Sequence, residues 1–212
     1  MGTITLVRHG QANSAATTEE DYDRLSKLGH DQARWLGDWL RTHREPFDHV
    51  LSGTMRRHRE TAAGMGVTPD EDDRLNEIAY YTLTHQFAER TGDHATPDNF
   101  ADHMPRVFKA WAAAEIAGTE TFEAYRDRVR EILAEAARPG RRVLVVTSGG
   151  IIGMVLHHVL GLDLMRMASV MLPIYNTSLH ELQVLPQGTI LSGFNATPHL
   201  DPPERAHART YY

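Results

Sequence analysis

The stretch Thr5-Leu6-Val7-Arg8-His9-Gly10 runs apolar and stops at an arginine, a histidine and a glycine. Val145-Val146-Thr147-Ser148-Gly149-Gly150, far along the chain, stops in the same way at a serine and two glycines. Residues Thr3 to Val7 alternate before turning apolar, as a short strand does on entering a core. Val143 to Val146 is a continuous aliphatic run, which suits a central strand buried on both faces. Two such strands, each ending in a small polar cluster, predict an open α/β sheet with its ligand site at the carboxyl ends of the strands.

The segments around these two runs fill in that reading. From Leu25 onward, Leu28, Ala33, Leu36, Trp39 and Leu40 lie along one helical face, and Pro46 ends that helix before a second strand over Phe47 to Leu51. Ser52-Gly53-Thr54 reads as the start of a helix over Met55 to Ala63, stopped by Gly64 and Gly66. Thr121 is placed to cap a helix whose Phe122, Tyr125, Val129, Ile132 and Ala136 recur at spacings of three and four, closed by Pro139-Gly140. Ile151 to Leu160 is apolar nearly all round and predicts a helix deep beside the sheet. Leu179 to Leu185 and Thr189 to Phe194 flank Pro186-Gln187-Gly188 as a hairpin. Residues 11–23 read as a loop. Residues 78–118 read as an irregular insertion or cap, with Gly92, Pro97 and Pro105 separating short helices, and the tail after Pro202 reads as loose. The expected fold is a three-layer α/β sandwich with a mostly parallel central sheet flanked by helices. It forms one domain over residues 1–212 with the cap at 78–118.

Composition narrows the ligand. The chain carries 22 Lys and Arg against 28 Asp and Glu, a net charge of -6, the wrong sign for general attraction to nucleic acid or an anionic membrane. An anionic ligand must therefore meet a local basic cluster. No run approaches a membrane span and the amino terminus lacks the pattern of a signal peptide, so a cytoplasmic location is expected. With no cysteine, disulfides, thiolate catalysis and Cys-ligated metals are excluded. The 13 histidines include no His-Glu-x-x-His, and the adjacent His157 and His158 point in different directions on a helix, so no metal is expected.

Arg8, His9, Ser148, Gly149 and Gly150 all fall at predicted carboxyl ends of strands, and Ser52 to Arg56 follow another. Arginine forks bind phosphate or carboxylate, glycines let backbone N–H groups approach an anion, and helices starting near residues 53 and 150 would aim positive dipole ends at it. A neutral histidine among such donors is placed to attack phosphorus, dividing one displacement into two through a phosphohistidine.

At this point the residues resemble a known family. Leu6-Val7-Arg8-His9-Gly10-Gln11 is similar to the Arg-His-Gly signature of the histidine phosphatase superfamily, phosphoglycerate-mutase-like branch. The resemblance continues through Leu25-Ser26-x-x-Gly29-x-x-Gln32-Ala33-x-x-Leu36, Ser52-x-x-x-Arg56-x-x-x-x-Thr61-Ala62, Leu75-Asn76-Glu77, the helix around Phe122 to Val129, Asn176-Thr177-Ser178, Phe194-Asn195 and His199-Leu200. It implies His9 as the phosphorylated nucleophile, Arg8 and Arg56 as holders of the phosphoryl oxygens, and Glu77 as the acid that protonates the leaving group. It also implies that no cofactor is needed, and that the ligand is a small phosphorylated metabolite or phosphate itself. Gln11, Asn13, Arg57, Tyr80 and His85 are candidates for substrate contact, whereas Arg57, His58 and Arg59 read first as helix surface. The family's second catalytic histidine, which precedes Gly-Gly, falls here at Ser148. A serine donates a hydrogen bond but carries no positive charge, so with Ser148 and Gly149 as phosphate-binding groups the expected phosphatase is a slow one. Three alternatives stay open at the level of sequence. The first two are a non-catalytic phospho-ligand-binding relative and a phosphoglycerate-mutase-type phosphotransferase. The third is a serine hydrolase using Ser148, which lacks the glycine two residues earlier that a nucleophile elbow wants, since Val146 stands there. Assembly as a monomer or a homodimer is likewise open.

Overall fold

The computed structural model describes residues 2–13, 16, 18–96 and 98–211. Strands β1 (Gly2–Arg8), β2 (His49–Ser52), β3 (Asp70–Glu71), β4 (Arg142–Thr147), β5 (Leu179–Leu185) and β6 (Gly188–Ala196) form one sheet in the order β3-β2-β4-β1-β5-β6. The β3-β2-β4-β1 half is parallel; β5 and β6 add an antiparallel edge. The helices are α1 (Glu19–Tyr22), α2 (Lys27–His43), α3 (Arg56–Met65), α4 (Tyr80–Thr91), α5 (Phe100–Ala112), α6 (Phe122–Ala136), α7 (Gly149–Leu160) and α8 (Leu164–Met171).

Period-two alternation in the two central strands divides the core into layers. Val7, Leu144 and Val146 pack with Ala33, Leu36 and Leu40 of α2 and with Ala62 and Met65 of α3. Ile4, Leu6, Val143 and Val145 face the other way, onto α6, α7 and the cap helices. β4 is buried from Val143 to Thr147, which is what its unbroken aliphatic run requires. Because β1 pairs with β4 in parallel, with Arg8 opposite Thr147, and β2 pairs with β4 with Ser52 opposite Val146, the three strand ends open on one side.

Several sequence expectations change here. Residues 78–118 are far more regular than their glycines and prolines suggest: α4 and α5 run for 12 and 13 residues. Gly92 does end α4, in the left-handed conformation, but Pro105 sits inside α5. That helix survives the missing N–H because its face of Met104, Val107, Phe108 and Trp111 is buried in the core. Pro97 lies outside the described residues. Helix α8 is an element the sequence expectations lack; it is held by its buried Met167 and Ala168. Instead of hanging loose, the tail forms a 3₁₀ segment at Pro203–Ala208 and is tied to α2, the buried Gln32 amide donating to the Ala208 carbonyl at 2.7 Å. Finally, α3 starts at Arg56, and its cap is not Ser52 to Thr54. The Asp23 carboxylate accepts the Arg56 and Arg57 backbone N–H groups at 2.9 and 3.2 Å, so the supposed loop 11–23 delivers the cap from a distance.

Candidate active site

The strand ends open into a cavity of about 980 Å³ that also runs beneath α4 and α5. Arg8, His9, Arg57, Glu77, Gly149 and Gly150 form its floor. His9 is almost fully buried, and its backbone N–H binds the Thr147 carbonyl at 2.8 Å, fixing β1's end against β4's. Its Nδ1 lies 2.7 Å from the Gly10 carbonyl oxygen. A nitrogen facing a carbonyl must donate, so the proton sits on Nδ1 and Nε2 carries the lone pair. Burial, and then the positive charges of Arg57 and Arg8, hold the His9 pKa well below the ordinary imidazole value. Near neutral pH the ring is neutral and keeps a lone pair on Nε2.

Two guanidinium groups flank it. Arg8 donates from Nη1 to the carbonyls of Ile174 and Tyr211, so the last residues of the chain orient it. Burial pulls its pKa below the usual guanidinium value, against the opposing influence of Tyr22 and Glu77. Arg57 is 2% exposed; its Nη1 donates to Asp23 Oδ1 at 3.0 Å, and its guanidinium carbon lies 5.2 Å from the Tyr22 ring centre. The Nε atoms of both arginines are buried without a hydrogen-bond partner. Unmet donors on buried cations are costly, and an oxyanion in the cavity would meet them.

Glu77 approaches from the loop after the 3₁₀ turn Asp73–Leu75. Its Oε2 accepts from the Gly150 N–H at 2.7 Å and its Oε1 from the Ile78 N–H at 3.0 Å. Only glycine serves at position 150, since a Cβ there would lie 2.1 Å from Glu77 Oε1. The carboxyl therefore rests against the first turn of α7, whose amino end points at the site.

The candidates drawn from the sequence divide as follows. Arg8, His9, Glu77, Gly149, Arg57, Tyr80 and His85 all line the cavity, His85 with its imidazole 3.6 Å from Glu89. Arg56 does not: its side chain is 63% exposed and pairs with Glu60 at 2.7 Å, so the arginine of this helix that faces the cavity is Arg57. The buried face of α3 is Arg57, His58, Thr61, Ala62 and Met65, a helical stripe reached by stepping back four residues from Thr61, whereas Arg56 is five back. Gln11 and Asn13 are engaged elsewhere. The Gln11 N–H and side chain bind Gln32 and Ser26, and Asn13 binds the Asp21 and Arg24 carbonyls.

Ser148 is 1% exposed and does not line the cavity; its Oγ lies 2.7 Å from His58 Nε2. His58, expected at the surface, is fully buried, with its ring centre 5.7 Å from that of His9. Burial, and then Arg57, hold its pKa well below the ordinary value. A serine and a histidine at this distance would suit a hydrolase, but His58 Nδ1 has no orienting partner. Sequence reasoning also missed Tyr22, Asp23 and Tyr211, which distant segments bring to the site. Among the described residues no group of three or more His, Asp or Glu side chains is arranged to hold a metal ion, and no helix is long and apolar enough to cross a membrane.

Comparison with known proteins gives the same outline. The model of the histidine phosphatase superfamily (branch 1) matches residues 4–197. A variant of a phosphoserine phosphatase from Entamoeba histolytica, solved with phosphoserine, superposes with a TM-score of 0.69 at 16% identity, over 94% of this chain and 100% of that one. Bacillus stearothermophilus YhfR gives 0.70 at 21% identity, over 94% and 99%. A mycobacterial glucosyl-3-phosphoglycerate phosphatase, solved with vanadate (VO3), gives 0.64 at 24%, over 92% and 98%. Among curated proteins none matches.

Proposed function

Because the chain belongs to branch 1 of the histidine phosphatase superfamily, we propose that it is a phosphomonoesterase that works through a phosphohistidine on His9 and needs no cofactor. The observation that carries this reading is the pair of buried, unpartnered guanidinium Nε groups beside a neutral, lone-pair-bearing imidazole. Arg8 and Arg57 hold the phosphoryl oxygens, and His9 Nε2 attacks phosphorus as the ester P–O bond breaks. The departing oxygen takes a proton from the Glu77 carboxyl. Water then attacks the phosphohistidine, gives its proton to the Glu77 carboxylate and releases phosphate, which returns both groups to their starting states. Both backbone N–H bonds to Glu77 hold the carboxyl in place for this shuttle.

The cavity also speaks to the alcohol half of the substrate. Tyr80, Tyr81 and Thr84 of α4, with Phe100, Met104 and Phe108 of α5, wall it together with Met171 and Leu172. About 980 Å³ is room for a ligand of drug size. Among the described lining residues the only arginines are the two committed to the phosphoryl group, and there is no lysine. A second anionic group, such as the carboxylate of phosphoserine or 3-phosphoglycerate, therefore has no fixed cation to meet. The substrate class this favours is a phosphomonoester of a bulky, largely apolar, uncharged alcohol.

The test is rapid acid-free quenching of wild type and His9→Ala with 2-naphthyl phosphate, phosphoserine and 3-phosphoglycerate. Wild type is expected to form phospho-His9 and to favour naphthyl phosphate in kcat/KM over both carboxylates, while His9→Ala forms none. Phosphate release with no phosphohistidine in wild type would overturn the mechanism, and preference for the carboxylates would overturn the substrate class.

A further inference from the structure

The serine at position 148 looks like a loss when read against the resemblance, which puts an imidazole there. In the folded chain an imidazole stands beside it all the same, supplied by α3. His58 lies on the buried stripe of that helix next to Arg57, its ring centre is 5.7 Å from that of His9, and its Nε2 is 2.7 Å from Ser148 Oγ.

Three local features show that this contact is built in. Ser148 is the residue before α7, where a serine ordinarily turns its hydroxyl back to accept an N–H of its own helix. Here it makes no such bond, and its Oγ is directed to His58 instead. The His58 ring occupies space that exists only because residue 53 is glycine: a Cβ at Gly53 would stand 2.2 Å from His58 Nδ1. Nδ1 is buried with no partner. An orphaned buried N–H is rarer in proteins than an orphaned acceptor, so the proton belongs on Nε2. His58 Nε2–H then donates to Ser148 Oγ, and the hydroxyl hydrogen of Ser148 is left to donate elsewhere.

Ser148 directly follows Thr147, whose carbonyl takes the His9 N–H, and directly precedes Gly149, which lines the cavity. We infer that His58 and Ser148 work as one hydrogen-bonded unit in place of the missing imidazole, with His58 as the positioning residue that fixes Ser148 Oγ and the Ser148 hydroxyl as the donor to the phosphoryl group on His9. A hydroxyl that itself accepts a hydrogen bond is polarised into a better donor. This assignment rests on the phosphatase reading and refines it.

A double-substitution cycle on the full chain tests it, read by the single-turnover rate of phosphoryl transfer from 2-naphthyl phosphate to His9. Ser148→Ala and His58→Ala are each expected to slow transfer by roughly 100-fold, the scale of one preorganised donor. The double variant should be no slower than either, because the two act as one. His58→Gln, whose amide N–H reaches toward the same oxygen, should recover most of the rate, which a purely space-filling role would not require. Ser148→His alone should lose activity, since His58 already fills that space, while Ser148→His with His58→Ala should regain it. Losses that multiply in the double variant, or a Ser148→His enzyme faster than wild type while His58 remains, would refute the unit. Thermal melts of each variant separate unfolding from slow transfer, and His58→Gln carries the test if His58→Ala does not fold. Should wild type form no phosphohistidine, it is the phosphatase reading that fails. The same cycle read on orthophosphate affinity then decides the pair, with coupled losses supporting it and additive losses refuting it.

Discussion

Arg56 and Arg57 are adjacent arginines with opposite fates, and exchanging each for alanine measures how far the site depends on one residue of register. Arg57 is 2% exposed and is held between Asp23 and Tyr22 with its Nε unmet. Removing a cation about 4 Å from a phosphoryl oxygen costs up to about 4 kcal/mol at an effective dielectric of 20, or roughly three decades in rate. Arg56 makes only an exposed pair with Glu60 one turn on, and such a pair contributes about 0.3 to 0.5 kcal/mol. Steady-state kcat/KM on 2-naphthyl phosphate should therefore fall about 1,000-fold in Arg57→Ala and less than about threefold in Arg56→Ala. Because Asp23 also caps α3 through both backbone N–H groups, Arg57→Ala leaves a carboxylate half-paired, and Asp23→Asn with Arg57→Ala controls for that. Arg57→Lys should recover part of the loss, keeping the charge without the fork. Equal losses in Arg56→Ala and Arg57→Ala would refute the argument, as would a loss in Arg57→Ala fully explained by its melting temperature.

Other consequences are as direct. Glu77→Gln should slow an alkyl phosphate by two or more decades and an aryl phosphate far less, because an activated leaving group needs little protonation; kcat on the two esters checks this, and Gly150→Ala, whose Cβ would displace the Glu77 carboxyl, should show the same leaving-group dependence. Since burial and the arginines hold His9 neutral, kcat/KM should show no acid limb from this group near pH 6.5, and Arg57→Ala should bring one in from below as the His9 pKa rises; a pH profile of both proteins reads it. Stability should also depend on pH: His180 and His199 are held down to about 3, by burial first and then by Arg8 for one and by Arg205 and Arg209 for the other. The unfolded chain binds these protons below about pH 6.5 and the folded chain does not, so each group lowers stability by about 1.4 kcal/mol per pH unit as pH falls from there toward 3. Urea melts between pH 7 and 5 check the sign.

The fold was legible because its decisive segments obey a period. The β1 and β4 runs, the α2 stripe and the Thr121-capped α6 all announce themselves, and the Thr121 Oγ1 does accept the Ala124 N–H. What sequence obscured was the cap, where Gly92, Pro97 and Pro105 argue for interruption while Leu83, Phe87, Met104 and Phe108 decide for helices by burial. For the site, Arg8 and His9 were legible from a strand's abrupt end. That Arg57 and not Arg56 faces inward was also present, since Thr61 and Arg57 sit four apart on one face, where the Thr61 hydroxyl binds the Arg57 carbonyl; spacing from Ser52 misleads because it crosses a loop that keeps no helical phase. Asp23, Tyr22 and Tyr211 were not legible at all, because their roles depend on where chain segments return in three dimensions and no local pattern records that.

The electrostatics of the pocket account for why an imidazole paired with a neutral hydroxyl is a workable substitute. Arg8 and Arg57 are the fixed positive charges that an incoming phosphate dianion needs, and each lowers the proton affinity of His9. That is an advantage for the nucleophile, whose lone pair would vanish on protonation. The same field from Arg57 falls on the neighbouring His58, and with burial it keeps that ring neutral as well. An imidazolium so close to Arg57 would add repulsion among cations before any anion had arrived. A neutral ring that spends its one N–H on Ser148 avoids that repulsion and still presents an oriented dipole to the phosphoryl group. Its cost follows from the same comparison: one preorganised neutral donor contributes roughly 100-fold, about 2.7 kcal/mol, where a nearby cation contributes up to about 4. The chain should accordingly bind phosphate through its two arginines and transfer it more slowly than a site with a charged second imidazole, which places most of the deficit in the chemical step.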